Sequence, residues 1–172
     1  WTAINNGVDP SDQWYTKIRS DRNTPLTLYH SSGSFVYSST NRGDNWIKMN
    51  NTGFSAEIRS LDVTKYSLGG TVIYATLSSD NSGQKLRVYD GGSFVERSSG
   101  LPANKYVRSV ATHINNNTTA YALINGFSEG EKIYRTTNKG VNWINITGDL
   151  PDVPLGDMLP HPTNNNNLYL GT

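Results

Sequence analysis

An aromatic residue returns at nearly constant intervals along this chain of 172 residues, and this repeat limits the possible folds more than any other feature. The intervals between successive aromatics are 45, 48 and 49 residues, and each aromatic begins a polar tail that ends in Gly. The four residues are Trp1, Trp46, Phe94 and Trp143. A fixed period of roughly 20–50 residues is typical of solenoids, propellers and repeat arrays, in which each repeat forms one structural unit.

Each repeat contains short β-strand patterns separated by Gly- and Asn-rich turns, and no window keeps a helical apolar period. The first pattern carries an Arg-Ser pair, the second is centred on Tyr, and the third ends in an aliphatic-Tyr pair. The Arg-Ser patterns are Ile18-Arg19-Ser20, Ile58-Arg59-Ser60 and Val107-Arg108-Ser109. Four short strands in about 48 residues, repeated, predict the blades of an all-β β-propeller.

The repeats predict that residues 1–172 form a single β-propeller segment. We expect residues 1–7 to be the last strand of a preceding blade. Three blades then follow at 8–53, 54–100 and 101–148, and 149–172 form the first half of a further blade. A four-bladed ring could close if 149–172 and the N-terminal strand formed one shared blade. That blade would lack a third strand and leave strand edges to be covered. We therefore expect the chain to be a portion of a larger propeller.

Two near-copies of one turn lie between the third and fourth strand patterns. They are Ser39-Thr40-Asn41-Arg42-Gly43-Asp44-Asn45-Trp46 and Thr136-Thr137-Asn138-Lys139-Gly140-Val141-Asn142-Trp143. Both resemble the Asp-box, or BNR, repeat (Ser/Thr-x-Asp-x-Gly-x-Thr/Ser-Trp/Phe) of sialidase-like, sortilin-like and xyloglucanase-like propellers. The positions that match or replace the motif are Ser39, Asn41, Gly43, Trp46, Thr136, Asn138, Gly140 and Trp143.

The resemblance implies structural turns on the rim of a propeller, and no catalytic residue is carried over from it. Asn stands in place of Asp in both turns, so each keeps the acceptor that caps the turn but loses the charge. We expect Gly to take the positive φ and the aromatic to pack under the turn. The middle unit departs from the pattern, because its hairpin contracts to Asp90-Gly91-Gly92 before Phe94.

Composition excludes several classes of function. A net charge of +1 gives no electrostatic reason to expect a nucleic-acid partner. The chain has no Cys and no apolar run long enough to span a membrane, so neither disulfides nor membrane insertion is expected. The histidines at 30, 113 and 161 are scattered, and no metal or other cofactor is predicted.

Arginines at equivalent repeat positions are the best candidates for ligand binding. Arg19, Arg59 and Arg108 each open the strand expected to be innermost, near the mouth of the central channel, and Trp14 and Tyr106 precede two of these strands. Sialidases bind a substrate carboxylate with three arginines, through the bidentate guanidinium. The alternative is that each Arg packs between neighbouring blades and pairs with a local acid or carbonyl.

Glycoside hydrolysis would need two carboxyl groups that face each other across the bond that breaks. Asp21, Glu57, Asp62 and Asp157 lie near the expected inner strands or their loops, but no diagnostic spacing pairs them. We therefore expect a non-catalytic, secreted or cell-surface scaffold that binds protein or glycan. The alternatives are part of a sialidase-like or xyloglucanase-like glycoside hydrolase, and an assembly or sorting factor that docks a polypeptide.

Overall fold

Every regular element in the described part of the computed structural model is a β-strand, which confirms the all-β prediction. The structure describes residues 6–9, 17–21, 23–64, 70–78, 85–113, 115–164 and 166–172. Within these ranges no helix is long and apolar enough to cross a membrane.

The strands form antiparallel sheets in which each strand pairs with the next along the chain. Sheet 1 contains β1 (Lys17–Ser20), β2 (Leu28–Ser32), β3 (Phe35–Ser39) and β4 (Ile47–Lys48). Sheet 2 contains β5 (Ile58–Val63), β6 (Val72–Leu77), β7 (Leu86–Asp90) and β8 (Phe94–Glu96). Sheet 3 contains β9 (Val107–Thr112), β10 (Ala120–Ile124), β11 (Ile133–Thr136) and β12 (Ile144–Asn145). Sheet 4 contains β13 (Asp157–Pro160) and β14 (Leu168–Gly171).

The apolar core lies between consecutive sheets rather than at one centre. One buried cluster joins sheets 1 and 2, a second joins sheets 2 and 3, and a third joins sheets 3 and 4. Sheets 2 and 3 are therefore covered on both faces. This explains why β6 and β10 are buried along their whole length and read as continuous apolar runs, without the alternation of a one-sided sheet.

The first strands of successive sheets lie side by side, β1 against β5, β5 against β9, and β9 against β13. Polar bonds join them as well as apolar contacts, and one is the bond from the backbone N–H of Val110 to Ser60 Oγ at 3.4 Å. The fourth strands, at the opposite edge of each four-stranded sheet, have only two or three residues. Face-to-face sheets joined along their first strands are the arrangement expected around a propeller axis.

Candidate functional site

Side-chain hydrogen bonds hold both motif turns. Ser39 Oγ accepts the backbone N–H of Gly43 at 2.8 Å, and Asn41 Oδ1 accepts that of Asn45 at 3.0 Å. The hydroxyl of Ser39 also donates to Asn41 Oδ1 at 2.8 Å. The second turn repeats this network with Thr136 and Asn138, at 2.9 Å to Gly140 and 3.0 Å to Asn142. A neutral carboxamide oxygen thus caps the turn without the charge of an Asp.

Each of these turns contains two successive residues with positive φ, whereas the motif predicts only one. Gly43 and Gly140 have φ of 96° and 85°, and the residues before them, Arg42 and Lys139, also have positive φ, at 62° and 57°. The backbone N–H of each of these two residues donates to a carbonyl just before the second strand of its own unit, from Arg42 to Leu26 at 3.0 Å and from Lys139 to Thr118 at 2.8 Å. These hydrogen bonds hold two successive left-handed residues in place, a feature that we did not predict.

Each motif Trp is buried against the tail of the unit that precedes it. Trp46 is 6% and Trp143 4% exposed, and their backbone N–H groups donate to the carbonyls of Asn6 and Ser99, both at 2.9 Å. The indole N–H of Trp143 donates to the Arg97 carbonyl at 2.8 Å. The Trp of one unit therefore helps to bind that unit to the one before it.

The Gly that ends each of these tails fits against the same Trp. Gly7 and Gly100 both have φ of +90°, and a Cβ on either would overlap the carbonyl oxygen of Trp46 or Trp143. Only Gly combines this backbone conformation with so close an approach. Gly53 and Gly148 also end tails, but neither meets a Trp carbonyl in this way.

The repeated arginines each reach from their own sheet to the next one. Arg19 Nε donates to Asp62 Oδ1 at 3.0 Å, and Arg108 Nε donates to the Gly156 carbonyl at 2.9 Å. Arg59 stacks its guanidinium over the Tyr106 ring, with 4.7 Å between the guanidinium carbon and the ring centroid. These contacts are of the inter-blade kind that we weighed as the alternative to ligand binding.

Asp62 joins three first strands at once. This side chain of β5 is 4% exposed, and its Oδ1 accepts the bond from Arg19 of β1. Its Oδ2 accepts the backbone N–H of Thr112 at 2.7 Å and the Thr112 hydroxyl at 2.9 Å, both from β9. Both carboxylate oxygens therefore serve contacts between sheets.

The other acidic candidates differ in their surroundings. Asp21 is 3% exposed and accepts the backbone N–H of Asn23 and the hydroxyl of Thr71, both at 2.8 Å, so it caps a turn and joins sheets 1 and 2. Glu57 and Asp157 are exposed, and Asp157 Oδ1 accepts the N–H of Met158 at 2.9 Å. Asp21 and Asp62 thus have structural bonds, while the other two face solvent.

Of the three repeated arginines, Arg59 makes the fewest hydrogen bonds to described residues. It is half-buried, and its buried Nε has no hydrogen-bond partner among the described residues. Asn125 connects Tyr106 to Arg108. Its backbone N–H donates to the Tyr106 carbonyl at 3.2 Å, and its Oδ1 accepts a hydrogen bond from Arg108 Nη1 at 3.4 Å. We call Arg59, Tyr106, Arg108 and Asn125 the channel-mouth cluster. Trp14 lies outside the described residues.

The histidines have positions typical of structural residues. His30 lies between the Tyr37 and Trp46 rings, at centroid distances of 5.9 and 5.4 Å, and this burial lowers the pKa of His30. His113 and His161 directly follow first strands, and the Nδ1 of each accepts the N–H of the residue two positions on. Within the described ranges no group of three or more His, Cys, Asp or Glu side chains could hold a metal ion.

Sequence reasoning missed two lysines that fasten one unit to the next. Lys85 is 4% exposed and donates to the Ala103 carbonyl at 2.7 Å. Lys132 is 1% exposed at its side chain and donates to Asp152 Oδ1 at 2.7 Å and to the Val153 carbonyl at 2.9 Å. Each Lys directly precedes a third strand, and each acceptor segment follows a Leu-Pro pair. That recurrence was present in the sequence.

Solved structures with this arrangement of sheets are β-propeller proteins. The chain superposes on a GH74 xyloglucanase from Xanthomonas campestris with a TM-score of 0.65 over 90% of its length, at 14% identity. An ancestral GH74 enzyme gives 0.60 over 98%, at 19% identity, and YCF48 bound to a D1 peptide gives 0.57 over 96%, at 16% identity. These similarities confirm the propeller fold.

The chain spans only part of each of these proteins. It covers 26% of the Xanthomonas xyloglucanase, 22% of the ancestral GH74 enzyme and 49% of YCF48. No protein-family model and no curated protein matches the sequence.

Proposed function

We propose that this protein is a non-catalytic propeller module that binds a protein or glycan ligand at the channel-mouth cluster. The observation that carries the proposal is the unpaired guanidinium Nε of Arg59. Arg19 and Arg108 donate to acceptors on the next sheet, whereas Arg59 contacts the next sheet through the Tyr106 ring and keeps its buried Nε unpaired among the described residues.

The chemistry of this cluster suits a ligand with an accepting oxygen beside a flat or apolar group. The Tyr106 ring holds the Arg59 guanidinium beside it, and the planar fork of N–H donors can bind a carboxylate, a carbonyl or a sugar hydroxyl. The half-buried position of both side chains strengthens a bond made there relative to one made in bulk water.

Two of the similar proteins indicate which ligand classes to test. YCF48 was solved with a D1 peptide, and the GH74 protein from Xanthomonas campestris is a xyloglucanase. Identities of 14–19% relate these proteins to the present chain by fold alone. Extended peptides and xyloglucan oligosaccharides are therefore the first two classes to test.

The competing proposal is that the chain is part of a glycoside hydrolase. We favour a binding role because the two buried acids, Asp21 and Asp62, have their oxygens engaged in turns and sheet contacts. Of the four acidic candidates, the exposed Glu57 and Asp157 remain for such a role.

A binding screen with matched variants tests this function. The wild-type protein is incubated with a peptide array and a glycan array, and any ligand found is titrated by calorimetry against Arg59→Ala, Arg59→Lys and Tyr106→Ala. We expect each variant to bind at least about tenfold more weakly, a loss of about 1.4 kcal/mol. Arg135→Ala, on the third strand of sheet 3, is the control and keeps full affinity.

Two results would contradict the proposal. A ligand whose affinity is unchanged in Arg59→Ala and Tyr106→Ala binds elsewhere on the molecule. Release of reducing sugar from xyloglucan by the wild-type protein, abolished in Asp157→Ala, would favour the hydrolase.

We also propose that the two motif turns are Asp-box turns and that the protein acts outside the cell or at its surface. Support for the first comes from the Ser39–Asn41 and Thr136–Asn138 networks. Support for the second is the Asn-, Ser- and Thr-rich, Cys-free composition. Immunoblots of culture medium, surface and cell fractions test the location, and recovery in the cell interior alone would contradict it.

A further inference from the structure

Asn stands directly before Gly at two places in the chain, Asn6-Gly7 and Asn125-Gly126. In such a dipeptide the backbone nitrogen of Gly can attack the side-chain carbonyl carbon of Asn, because the attack is intramolecular and closes a five-membered ring. Gly obstructs this approach least, since it has no Cβ. Both dipeptides lie within the described residues, so the surroundings of the two reacting groups can be compared.

Trp46 holds the backbone of the first dipeptide. The Asn6 carbonyl accepts the backbone N–H of Trp46 at 2.9 Å. Gly7 has φ of +90° and lies so close to the Trp46 carbonyl oxygen that an added Cβ would overlap it. Attack requires the peptide group between Asn and Gly to turn towards the Asn side chain. These backbone contacts with another part of the unit oppose that rotation.

The second dipeptide lies in a more open turn, between β10 and β11. Gly126 also has positive φ, at +73°, but no atom lies within 4 Å of the place where a Cβ would stand. The Asn125 carbonyl accepts a side-chain hydroxyl, that of Ser128, at 3.1 Å. Rotation of this peptide group therefore displaces one side-chain hydrogen bond and meets no packed backbone.

Arg108 favours the reaction at Asn125 through charge. Its Nη1 donates to Asn125 Oδ1 at 3.4 Å, and the bond from its Nε to the Gly156 carbonyl at 2.9 Å holds the guanidinium in place. Negative charge develops on Oδ1 when a nucleophile attacks the carbon that carries it, and a donor already fixed at such an oxygen stabilises the transition state. The side chain of Asn6 contacts a neutral amide instead, that of Asn45.

From this contrast we propose that Asn125 is a site of spontaneous deamidation and that Arg108 promotes the reaction. The Gly126 nitrogen forms a bond to Asn125 Cγ, the bond from Cγ to Nδ2 breaks, and the proton of the Gly126 N–H passes through solvent to the leaving nitrogen, which departs as ammonia. Water then opens the cyclic imide at either carbonyl and leaves aspartate or isoaspartate. The only co-reactant is water.

The product places a carboxylate beside Arg108 in the channel-mouth cluster, where it competes with an anionic group of a ligand. This consequence for binding rests on the proposed function, whereas the modification itself does not. Deamidation would therefore lower the affinity for a ligand with a carboxylate as the protein ages.

Peptide mapping of the folded protein tests the modification. Wild type is incubated in mildly alkaline buffer, and the conversion of amide to acid and the isoaspartate content are measured at positions 6 and 125 of the same samples. We expect the reaction to be at least about tenfold faster at Asn125 than at Asn6. Arg108→Ala should slow it by about three- to tenfold, less than the effect of a buried oxyanion donor because this hydrogen bond is partly exposed. Arg108→Lys should be slowed less.

Asn6 also serves as the control for folding, since a variant that opens the structure would speed the reaction there. In denaturant the two positions should react at similar rates, and the effect of Arg108→Ala should disappear. Equal rates at the two positions of the folded protein, or a rate at Asn125 that Arg108→Ala leaves unchanged, would overturn the proposal.

The effect on binding has a separate test. A carboxylate ligand found on the arrays should bind Asn125→Asp about tenfold more weakly than Asn125→Ala, because only Asp adds a charge next to Arg108. Equal affinities of these two variants would contradict the competition with the ligand. Since mapping needs no ligand, failure of the binding proposal and failure of the modification are told apart.

Discussion

Single polar side chains join the sheets of this protein at their inner ends. Asp62 is the clearest case, since a buried carboxylate receives Arg19 from one neighbouring strand and Thr112 from the other. Removing one partner of a buried charge leaves the others without compensation, which is costly in a low-dielectric interior.

We expect Asp62→Ala to lower the free energy of unfolding by about 3–5 kcal/mol, because Arg19 and the Thr112 N–H lose their acceptor. Asp62→Asn keeps one accepting oxygen and should lose less. Denaturant titration measures both, with the exposed Asp157→Ala as a control expected within about 0.5 kcal/mol of wild type. A change below 1 kcal/mol in Asp62→Ala would show that the carboxylate does not hold the strands together.

His30 should make stability depend on pH. Burial lowers the pKa of His30 below its usual 6.5, so between that value and the lower folded-state pKa the unfolded chain binds more protons than the native one. Stability is therefore fully present above pH 6.5 and decreases as the pH falls through this window. His30→Phe keeps a ring beside Tyr37 and Trp46, and its thermal midpoint should lack this decrease. Parallel pH profiles of the two proteins would count against the assignment.

At the scale of elements, the turns and tails decide how units fit together. Gly7 and Gly100 each make a contact that no other residue allows, because positive φ and a close carbonyl occur at the same position. The buried lysines before β7 and β11 add a polar bond from each of these strands to the connection that follows its sheet.

Gly100→Ala should be markedly more destabilising than Gly126→Ala. Both positions have positive φ, which costs a residue with a Cβ about 1 kcal/mol, but only Gly100 lies against a backbone carbonyl. We expect an additional loss of about 1–3 kcal/mol for Gly100→Ala, from overpacking against Trp143. Thermal and denaturant unfolding of the pair measure this, and equal losses would mean that the close approach costs nothing.

The Lys132–Asp152 bond should contribute to stability in a defined range of pH. Hydrogen bonds from Lys132, and then from the Ser128 N–H, lower the pKa of Asp152 below 3.8. The contribution is therefore complete above pH 3.8 and is lost as the pH falls through the lower folded-state pKa. Thermal midpoints of wild type and Asp152→Asn should differ at neutral pH and converge on acidification. A difference that persists at the lowest pH would exclude this ion pair as its source.

At the scale of the whole molecule, the sequence was sufficient for the architecture but not for the contacts between units. The aromatic period and the turn chemistry predicted the all-β propeller, because each unit encodes its own strands and turns locally. The bond from Arg19 to Asp62 joins residues 43 positions apart, and no local pattern marks it. The same holds for the difference between Arg59 and its two repeat equivalents, whereas the contact of Lys132 with Asp152 had a signal in the recurrent Lys and Leu-Pro positions.

The central claim is that the repeated arginines have different roles, two as ties between sheets and one as a ligand-binding residue. Denaturant unfolding of Arg19→Ala, Arg59→Ala and Arg108→Ala, measured side by side, tests it most directly. We predict a loss of about 1–3 kcal/mol for Arg19→Ala, because the buried Asp62 carboxylate loses its donor, and of about 1 kcal/mol for Arg108→Ala, because its bond to Gly156 is exposed. Arg59→Ala should lose no more than about 0.5–1 kcal/mol, the value of its stacking on Tyr106. If Arg59→Ala is instead the most destabilised of the three, Arg59 is a structural tie and the channel-mouth cluster is not the binding site.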